Sequence, residues 1–469
     1  MKGSAIVTIF DADTALQVGE SERALLVSVE TYGTTWAAED SLEELARLAE
    51  TVDVEVVGSA SQKLRAPHPA TYVGKGKVQE IKELQESLEY TLVMVDGELS
   101  PAQQRNLERE LEVKIIDRTA LILDVFARRA QTHEGRLQVE LAQLQYRLPR
   151  LTRMWTHLSR QGAGGVGLRG PGETQLEADR RESQKRITFL KAQLGEVHDH
   201  RERYRQRRRQ TPIAVVSLVG YTNAGKSTLL NTITGADVLA EDKLFATLDP
   251  TTRRVDLPSG REVLLTDTVG FINNLPTQLI AAFRATLEEI SEATVLIHVV
   301  DITHPNAKEQ VHTVNSTLEE LAVDGRPVVH ALNKIDRLPA ENRDNLADVA
   351  ERAGVPRDAV GISAQKGINL DALLAKIEVS LEEEAGFVPV TGTIPFDRTD
   401  LVDQFHKLGR VTEHEYDERG TTIHGELPAR DLDRFAPWLS AVEVEPAVDV
   451  ASEEELEAQE PTGHDSRVA

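Results

Sequence analysis

The chain has 469 residues, of which 40% are hydrophobic and 4% aromatic, and a formal net charge of −24. This length exceeds one compact core and predicts three or four domains. Because the sequence contains no cysteine, disulfides, thiolate metal sites and thiol catalysis are excluded, and a cytoplasmic location is expected. No apolar run approaches the roughly 18 residues of a transmembrane helix, and the first residues lack the pattern of a secretory signal.

Residues 1–116 are predicted to form a small α/β domain. Short β-like runs at 24–29, 52–57 and 91–95 alternate with helical patterns at 41–49 and 77–88. Within this domain a glycine-lysine turn at 73–77 leads into a helix, where free backbone amides could meet a phosphate. An ordinary turn and helix start explains the same residues.

Residues 117–210 are predicted to form a long antiparallel helical hairpin. Leucines spaced three and four apart mark the first helix, which Pro149 is expected to end or kink near Leu148. The second helix is expected from about residue 175 to 209. Between them, residues 161–172 contain six glycines and a proline, so they are predicted to form a flexible tip loop.

The hairpin segment is basic although the chain as a whole is acidic. From residue 136 to 210 there are 17 Lys and Arg against 8 Asp and Glu. A local positive excess of this kind is typical of a surface that binds nucleic acid. The alternative is a solvated helical face that only packs against the rest of the protein.

Residues 211–384 are predicted to form an α/β domain on a mainly parallel sheet with helices on both faces. Strand-like and helical segments alternate, and several strand-like runs are apolar throughout, as expected of strands buried on both faces. These runs cover 213–219, 262–266, 294–300, 327–332 and 359–362.

Residues 385–447 are predicted to form a small α+β domain. Its β-rich stretches lie near 392–395, 411–416 and 421–425. Residues 448–469 are acidic and carry few apolar side chains, so they are predicted to be a disordered tail.

A phosphate-binding loop is predicted at Gly220-Tyr-Thr-Asn-Ala-Gly-Lys-Ser227, which matches G-x-x-x-x-G-K-[ST] between a strand-like run and a helix start. Its glycines let backbone amides and the helix N-terminus face the phosphates. Lys226 is predicted to be catalytic, as a charge on the phosphates, and Ser227 to bind Mg²⁺. The predicted phosphate-binding residues are Gly220, Tyr221, Thr222, Asn223, Ala224, Gly225, Lys226, Ser227 and Thr228.

A second motif, Asp267-Thr-Val-Gly270, follows another strand-like run. Ligands of open α/β sheets bind at the carboxyl ends of strands. Asp267 is therefore predicted to hold Mg²⁺ through its water shell, and Gly270 to sense the γ-phosphate with its amide. Between the motifs, Thr251 is predicted to close on Mg²⁺ when the γ-phosphate is bound, with Thr252 as the alternative.

Base selection is predicted to depend on Asn333-Lys-Ile-Asp336, which also follows a strand-like run. Guanine presents two adjacent donors that one carboxylate can accept, whereas adenine presents an acceptor and a donor. Asp336 therefore favours GTP over ATP, with Asn333 and Lys334 completing the motif. Ser363 and Ala364 are predicted to lend a backbone amide to the guanine O6. Four motifs in this order predict a GTPase that converts GTP to GDP and phosphate.

Two positions bear on the mechanism of hydrolysis. Phe271 follows Gly270 where many GTPases carry a glutamine that orients the attacking water. A phenyl ring cannot do this, so slow intrinsic hydrolysis is expected. Asn223 could place a potassium ion beside the phosphates, which would supply the charge that an arginine supplies elsewhere; a turn-stabilising asparagine is the alternative.

The sequence resembles the HflX family of ribosome-associated P-loop GTPases over about residues 20–445. The resemblance is carried by four segments: Leu137-Gln-Val-Glu-Leu-Ala-Gln-Leu144, Gly170-Pro-Gly-Glu-Thr-Gln-Leu-Glu177, Leu244-Phe-Ala-Thr-Leu-Asp-Pro-Thr251 and Asp267-Thr-Val-Gly-Phe-Ile272. It implies an N-terminal α/β domain with a helical hairpin, a GTPase domain and a small C-terminal domain. It also implies action on the large ribosomal subunit and, in some members, splitting of stalled or hibernating ribosomes.

The predicted function is therefore a GTPase that acts, as a monomer, on the large ribosomal subunit and its RNA. Splitting or rescue of idle or stalled ribosomes is expected, with a ribosome-assembly or RNA-chaperone GTPase and a membrane-associated signalling GTPase as alternatives. The absence of an apolar spanning run counts against the last. Some members of the family bind ATP in the N-terminal domain, and here only the 74–77 turn could support that.

Overall fold

The chain divides after Glu384 into two compact units, residues 1–384 and 385–469. The computed structural model describes residues 22–32, 36–153, 171–208, 213–235, 244–274, 290–321, 323, 325–417, 419–428 and 431–442. The predicted tail 448–469 and most of the predicted tip loop 161–172 lie outside the described residues.

The amino-terminal part is a parallel four-stranded sheet with helices packed on it. Its strand order is β2-β1-β3-β4, and every pairing is parallel. The apolar, fully buried strand β3 lies in the interior of the sheet. The elements are β1 (Arg23–Thr31), α1 (Ala38–Thr51), β2 (Glu55–Leu64), α2 (Lys75–Leu88), β3 (Leu92–Asp96), α3 (Pro101–Leu111), β4 (Lys114–Asp117) and α4 (Arg118–Arg129).

The glycine-lysine turn at 73–77 begins helix α2. Gly74 is the residue before the helix, and its amide donates to Oε1 of Gln62 at 2.8 Å. One of the amides that could meet a phosphate therefore has an acceptor within the chain.

Two helices form the hairpin, α5 (His133–Arg147) and α6 (Pro171–Arg208). Helix α5 ends one residue before Leu148, where a 3₁₀ turn, 148–153, takes over around Pro149. The two helices pack through a small apolar cluster of Leu137, Leu141, Ile187 and Leu190. Residues 171 and 172, assigned from the sequence to the tip, already belong to α6, since proline is favoured in the first turn of a helix.

The predicted hairpin segment 117–210 contains one further helix that belongs elsewhere. Helix α4 is buried along ten of its twelve residues and packs in the same core as α1 and β3. Its apolar residues run almost continuously, which is the pattern of a helix enclosed on most sides rather than of a hairpin arm.

The following part is a six-stranded sheet of order β10-β9-β8-β5-β7-β6, parallel except for the edge strand β6. The predicted mainly parallel sheet is confirmed. The elements are β5 (Ala214–Val219), α7 (Lys226–Thr234), β6 (Thr251–Asp256), β7 (Glu262–Asp267), β8 (Val295–Asp301), α8 (Ala307–Glu320), β9 (Val328–Asn333), α9 (Ala340–Asp344), α10 (Leu346–Arg352), β10 (Val360–Gly361) and α11 (Leu370–Ala385).

One buried apolar core joins the amino-terminal sheet to this second sheet. It contains Leu42 and Phe126 from the first part and Phe245 and Phe271 from the second. The rings of Phe126 and Phe245 meet edge to face with centroids 4.7 Å apart. The loops that follow β5, α7 and β7 are thus built against the amino-terminal domain as well as against their own sheet.

The second unit is a small antiparallel sheet of order β12-β13-β11-β14 with a helix packed on it. Antiparallel pairing holds at each strand. Its core includes Phe405 and Phe435, whose rings meet edge to face. The elements are β11 (Phe387–Ile394), α12 (Thr399–Leu408), β12 (Arg410–Asp417), β13 (Gly420–Pro428), α13 (Leu432–Phe435) and β14 (Leu439–Val442).

Candidate guanine-nucleotide site

The phosphate-binding loop connects β5 to α7, as the sequence predicts, and both of its glycines are required. Gly220 has φ +149°, and a Cβ there would lie 2.3 Å from the Val299 carbonyl oxygen. Gly225 has φ +100°, and a Cβ there would lie 2.2 Å from Nδ2 of Asn333. Positive φ and close approach both exclude a side chain. The loop is therefore held tightly between β8 and the residue that ends β9.

Lys226 begins α7 and is almost fully buried. Its ammonium donates to the carbonyls of Gly220 at 3.0 Å and Tyr221 at 2.8 Å. Burial lowers the pKa of Lys226 to about 8, and the nearby Asp267 opposes that shift. Bound phosphates would supply the negative charge that this buried ammonium requires.

Three oxygens meet where a magnesium ion is expected. Ser227 Oγ and Thr247 Oγ1 each donate to Oδ2 of Asp267, at 2.7 and 2.8 Å, and lie 2.8 Å from each other. Oδ1 of Asp267 is buried and makes no hydrogen bond of good geometry to a described residue. Burial raises the pKa of Asp267. A cluster of hydroxyl and carboxylate oxygens with a spare buried acceptor fits a hard cation and its water shell.

Thr247, rather than Thr251, lies in this oxygen cluster. Thr251 is the first residue of β6 and pairs with Asp267 across the strands, while the alternative, Thr252, has its hydroxyl 3.0 Å from that of Thr266. Neither hydroxyl reaches Ser227. Thr247 lies four residues before β6 begins, and its hydroxyl is the one that lies beside Ser227 and Asp267. In this structure Thr247 therefore takes the place at the oxygen cluster that the sequence analysis assigned to Thr251, and the closure of Thr251 on Mg²⁺ with the γ-phosphate bound stays a prediction.

Gly270 lies against the phosphate-binding loop. A Cβ at this position would be 2.8 Å from Thr222 Cα and 3.0 Å from the Lys226 ammonium. The next residue, Phe271, pairs with the loop through its backbone: Thr222 N donates to Phe271 O at 2.8 Å, and Phe271 N donates to Gly220 O at 3.1 Å. Its ring is buried in the shared core, so it cannot orient a water molecule.

Asn333 ties three loops together. Its Nδ2 donates to the Ala224 carbonyl at 2.7 Å, and its Oδ1 accepts from the Ala364 amide at 3.0 Å. The amide of Ala364, which the sequence assigns to guanine O6, thus has an acceptor within the chain. Lys334 donates to the Asn223 carbonyl at 3.0 Å and to Asp301 at 2.6 Å.

Asp336 is preorganised as a hydrogen-bond acceptor. Ser363 Oγ donates to its Oδ1 at 2.7 Å, and Lys366 lies 3.6 Å from Oδ2. The Ser363 hydrogen bond, more than any other contact, lowers the pKa of Asp336. An ionised carboxylate is the partner that the two adjacent donors of guanine require.

Asn223 has φ +60°. This left-handed conformation is tolerated by asparagine better than by most residues, which agrees with a turn-forming role. Its carbonyl accepts the Lys334 hydrogen bond, so its backbone already joins the phosphate-binding loop to the base-recognition motif.

Comparison with known proteins identifies the family. Three family models match: GTP-binding GTPase N-terminal at residues 39–127, GTP-binding GTPase Middle Region at 129–208, and 50S ribosome-binding GTPase at 215–334. GTPase HflX of Caldanaerobacter subterraneus is 46% identical over 420 residues, which cover 90% of this chain and 94% of that protein. GTPase HflX of Escherichia coli is 44% identical over 428 residues, which cover 91% and 97%. The chain belongs to the HflX GTPase family.

As an HflX GTPase, the protein binds GTP and hydrolyses it to GDP and phosphate. A P-loop GTPase uses Mg²⁺ with its nucleotide, and Ser227, Thr247 and Asp267 are the residues that would hold it. None of the described helices is long and apolar enough to cross a membrane.

The HflX chain contains one feature of the site that the sequence did not reveal. The Tyr221 hydroxyl is hydrogen-bonded to the Glu44 carboxylate of α1 and accepts from the Asn273 amide at 2.7 Å. Glu44 is also paired with Arg118, which is 1% exposed and lies 2.8 Å from Asp96. Burial and the Glu44 charge raise the pKa of Tyr221, which therefore stays protonated. A buried network of ion pairs and hydrogen bonds thus connects the amino-terminal sheet to the phosphate-binding loop through Asp96, Arg118, Glu44 and Tyr221.

Proposed function

We propose that this HflX GTPase binds the large ribosomal subunit with its helical hairpin and releases it after GTP hydrolysis, thereby splitting or rescuing idle or stalled ribosomes. The observation that carries the proposal is the character of α6. This helix has 38 residues, and Arg180, Arg181 and Lys185 are exposed on it. It extends well beyond its partner α5, which has 15 residues.

An exposed basic helix suits a partner made of RNA. Neutralising phosphates with Lys and Arg releases counterions, and this supplies much of the affinity of proteins for nucleic acids. Among the described basic side chains of α6, Arg186 pairs internally, with two hydrogen bonds to Glu140 of α5 at 2.7 and 2.9 Å. The matching family model is described as a 50S ribosome-binding GTPase, which supports the same partner.

The nucleotide site supports a switch in which Thr247 and Gly270 are the moving parts. The magnesium ion would neutralise phosphate charge where Ser227, Thr247 and Asp267 converge. The Lys226 ammonium is hydrogen-bonded to carbonyls of the phosphate-binding loop, where it would pair with phosphate oxygens. Cleavage of the γ-phosphate removes what orders the segments around Thr247 and Gly270, and both relax.

Hydrolysis by the isolated chain is expected to be slow. Phe271 is buried in the core and provides no group to orient the attacking water. We propose that Asn223 supports a potassium ion beside the phosphates, which would supply part of the missing charge stabilisation. Equal hydrolysis rates in potassium and sodium buffers at matched ionic strength would contradict the potassium proposal.

GTP hydrolysis with and without purified large subunits tests the ribosome proposal. The native chain is compared with a deletion of residues 162–172, with the double variant Arg180→Glu/Arg181→Glu, and with the control Arg352→Glu/Arg357→Glu, which reverses two exposed charges near α10. Large subunits should accelerate hydrolysis by the native chain and the control, and much less by the two hairpin variants. Equal rates with and without subunits for the native chain would remove the proposal.

A further inference from the structure

Asp249 links the loop that carries Thr247 to the start of the hairpin. Its Oδ2 accepts hydrogen bonds from the amides of Gln131 and Thr132, both at 2.9 Å, and its Oδ1 accepts from the Thr132 hydroxyl at 2.5 Å. Asp249 follows these two residues by more than a hundred positions in the sequence. One carboxylate therefore makes three hydrogen bonds to two consecutive residues.

Those two residues immediately precede α5, the first helix of the hairpin. Thr132 is its N-cap, and the Thr132 hydroxyl accepts from the Gly135 amide at 3.0 Å. A Cβ at position 135 would lie 2.5 Å from Oδ1 of Asp249, so the approach of the carboxylate depends on glycine there. A negative charge at a helix N-terminus is stabilised by the helix dipole.

The other end of the same loop reaches the magnesium site. Thr247, two residues before Asp249, donates to Asp267 at 2.8 Å. Two residues before Thr247, Phe245 packs against Phe126 of α4 with φ +55°, a backbone conformation uncommon for a bulky residue. The loop 244–250 is therefore fixed at the ion site, in the shared core and at the start of α5.

Helix α5 in turn is joined rigidly to α6. Leu137 and Leu141 pack with Ile187 and Leu190, and the Arg186 guanidinium makes its paired hydrogen bonds to Glu140. A displacement of the N-terminus of α5 would therefore be carried into the helix that presents the basic surface.

We propose that Asp249 is a positioning residue that couples the nucleotide state to the hairpin. The three hydrogen bonds to Gln131 and Thr132, here called the Asp249 latch, close when GTP and Mg²⁺ hold Thr247 and loosen when GDP releases it. The inference rests on the proposed role of Thr247 at the magnesium site. Because coupling between two binding sites is reciprocal in free energy, hairpin docking that favours the closed latch also favours binding of GTP with Mg²⁺ over binding of GDP.

Hydrogen exchange of the amides at positions 131–136 tests the latch in the full chain without ribosomes. Exchange is measured with GDP and with a non-hydrolysable GTP analogue, both with Mg²⁺. The wild-type amides should exchange about tenfold more slowly with the analogue, the size of a typical coupling between sites. In Asp249→Ala the two nucleotides should give equal exchange, while Asp256→Ala, which removes an exposed carboxylate of β6, should behave as wild type.

A second variant guards against misfolding. Asp249→Asn keeps the shape of the side chain but removes its charge and one acceptor, so it should retain a smaller nucleotide dependence. Nucleotide-dependent exchange that persists in Asp249→Ala, or that is absent from the wild type, would overturn the proposal. The two proposals fail in different experiments. If the ribosome proposal is wrong, large subunits do not stimulate hydrolysis, but the exchange measurements without ribosomes are unchanged.

Discussion

Ser363 donates a 2.7 Å hydrogen bond to Asp336, from a loop 27 residues further along the chain. The two residues follow β10 and β9, strands that pair in parallel, so the sheet brings both to the same edge. The bond consumes one lone pair of Oδ1 and fixes the carboxylate in its ionised form. Guanine recognition is thus prepared by the sheet before any base arrives.

Replacing Asp336 with asparagine should change the base that the site prefers. An amide offers one acceptor and one donor, which match the N1–H and C2 carbonyl of xanthine rather than the two donors of guanine. GDP affinity should fall by about a hundredfold or more, because a guanine donor is left without an acceptor in the site. XDP affinity should rise. Titration calorimetry with both nucleotides measures this, with the exposed Asp344→Asn as control. Unchanged GDP affinity in Asp336→Asn would contradict the assignment.

The depressed pKa of Lys226 should make nucleotide binding depend on pH. Free Lys226 titrates at about 8 instead of its usual 10.5, whereas bound phosphates favour the charged form and raise that pKa. Binding should therefore take up protons at pH 8.5, and GDP affinity should decline above about pH 8. Calorimetry of Mg²⁺-free GDP binding in two buffers of different ionisation enthalpy measures the uptake. Proton release, or no greater uptake at pH 8.5 than at pH 7, would count against it.

Thr247 and Thr251 should differ sharply when each is replaced by alanine. Of the two hydroxyls, that of Thr247 donates to the Asp267 carboxylate and lies 2.8 Å from Ser227 Oγ, so Thr247→Ala should lower the hydrolysis rate by about a hundredfold, which corresponds to a few kcal/mol in the barrier. It should also raise the Mg²⁺ concentration needed for half-maximal rate. Thr251→Ala, at the start of an edge strand, should stay within about threefold of wild type. The reverse order would restore the assignment made from the sequence.

The buried guanidinium of Arg118 should matter mainly for stability. Arg118→Met leaves Glu44 and Asp96 buried without their positively charged partner, which costs about 3 to 5 kcal/mol in the free energy of unfolding. The control Arg357→Met removes two exposed ion pairs and should cost less than about 0.5 kcal/mol. Urea unfolding of both variants in the presence of GDP measures the two losses of stability. Similar losses would mean that the buried network around Arg118 contributes little to the free energy of unfolding.

The buried strands of the nucleotide-binding sheet were predictable because they are continuous apolar runs, and a motif follows β5, β7 and β9. The edge strand β6 has one buried residue, Val255, and was not predicted from the sequence. The strands β5, β7, β8 and β9 begin and end within about two residues of the predicted runs. The residue at which the hairpin begins was harder to predict from the sequence. Helix α4 precedes α5 by only a few residues, so the two were predicted as parts of one segment although the almost continuous apolar run of α4 differs from the pattern of a hairpin arm.

The path of a loop is equally hard to predict. Thr247, Thr251 and Thr252 carry the same hydroxyl within six residues, and no periodicity distinguishes them. Which of the three hydroxyls lies at the magnesium site depends on how the loop packs, through Phe245, against Phe126 of the amino-terminal domain. Burial of Arg118 is also invisible in the sequence, since an arginine is normally expected on the surface and its two carboxylate partners come from distant segments.

Co-sedimentation of the full chain with purified large ribosomal subunits tests the central claim, that the nucleotide state controls binding, most directly. With a non-hydrolysable GTP analogue and Mg²⁺, most of the protein should pellet with the subunits, and with GDP most should remain in the supernatant. Equal amounts in the pellet with both nucleotides, or none with either, would contradict the account.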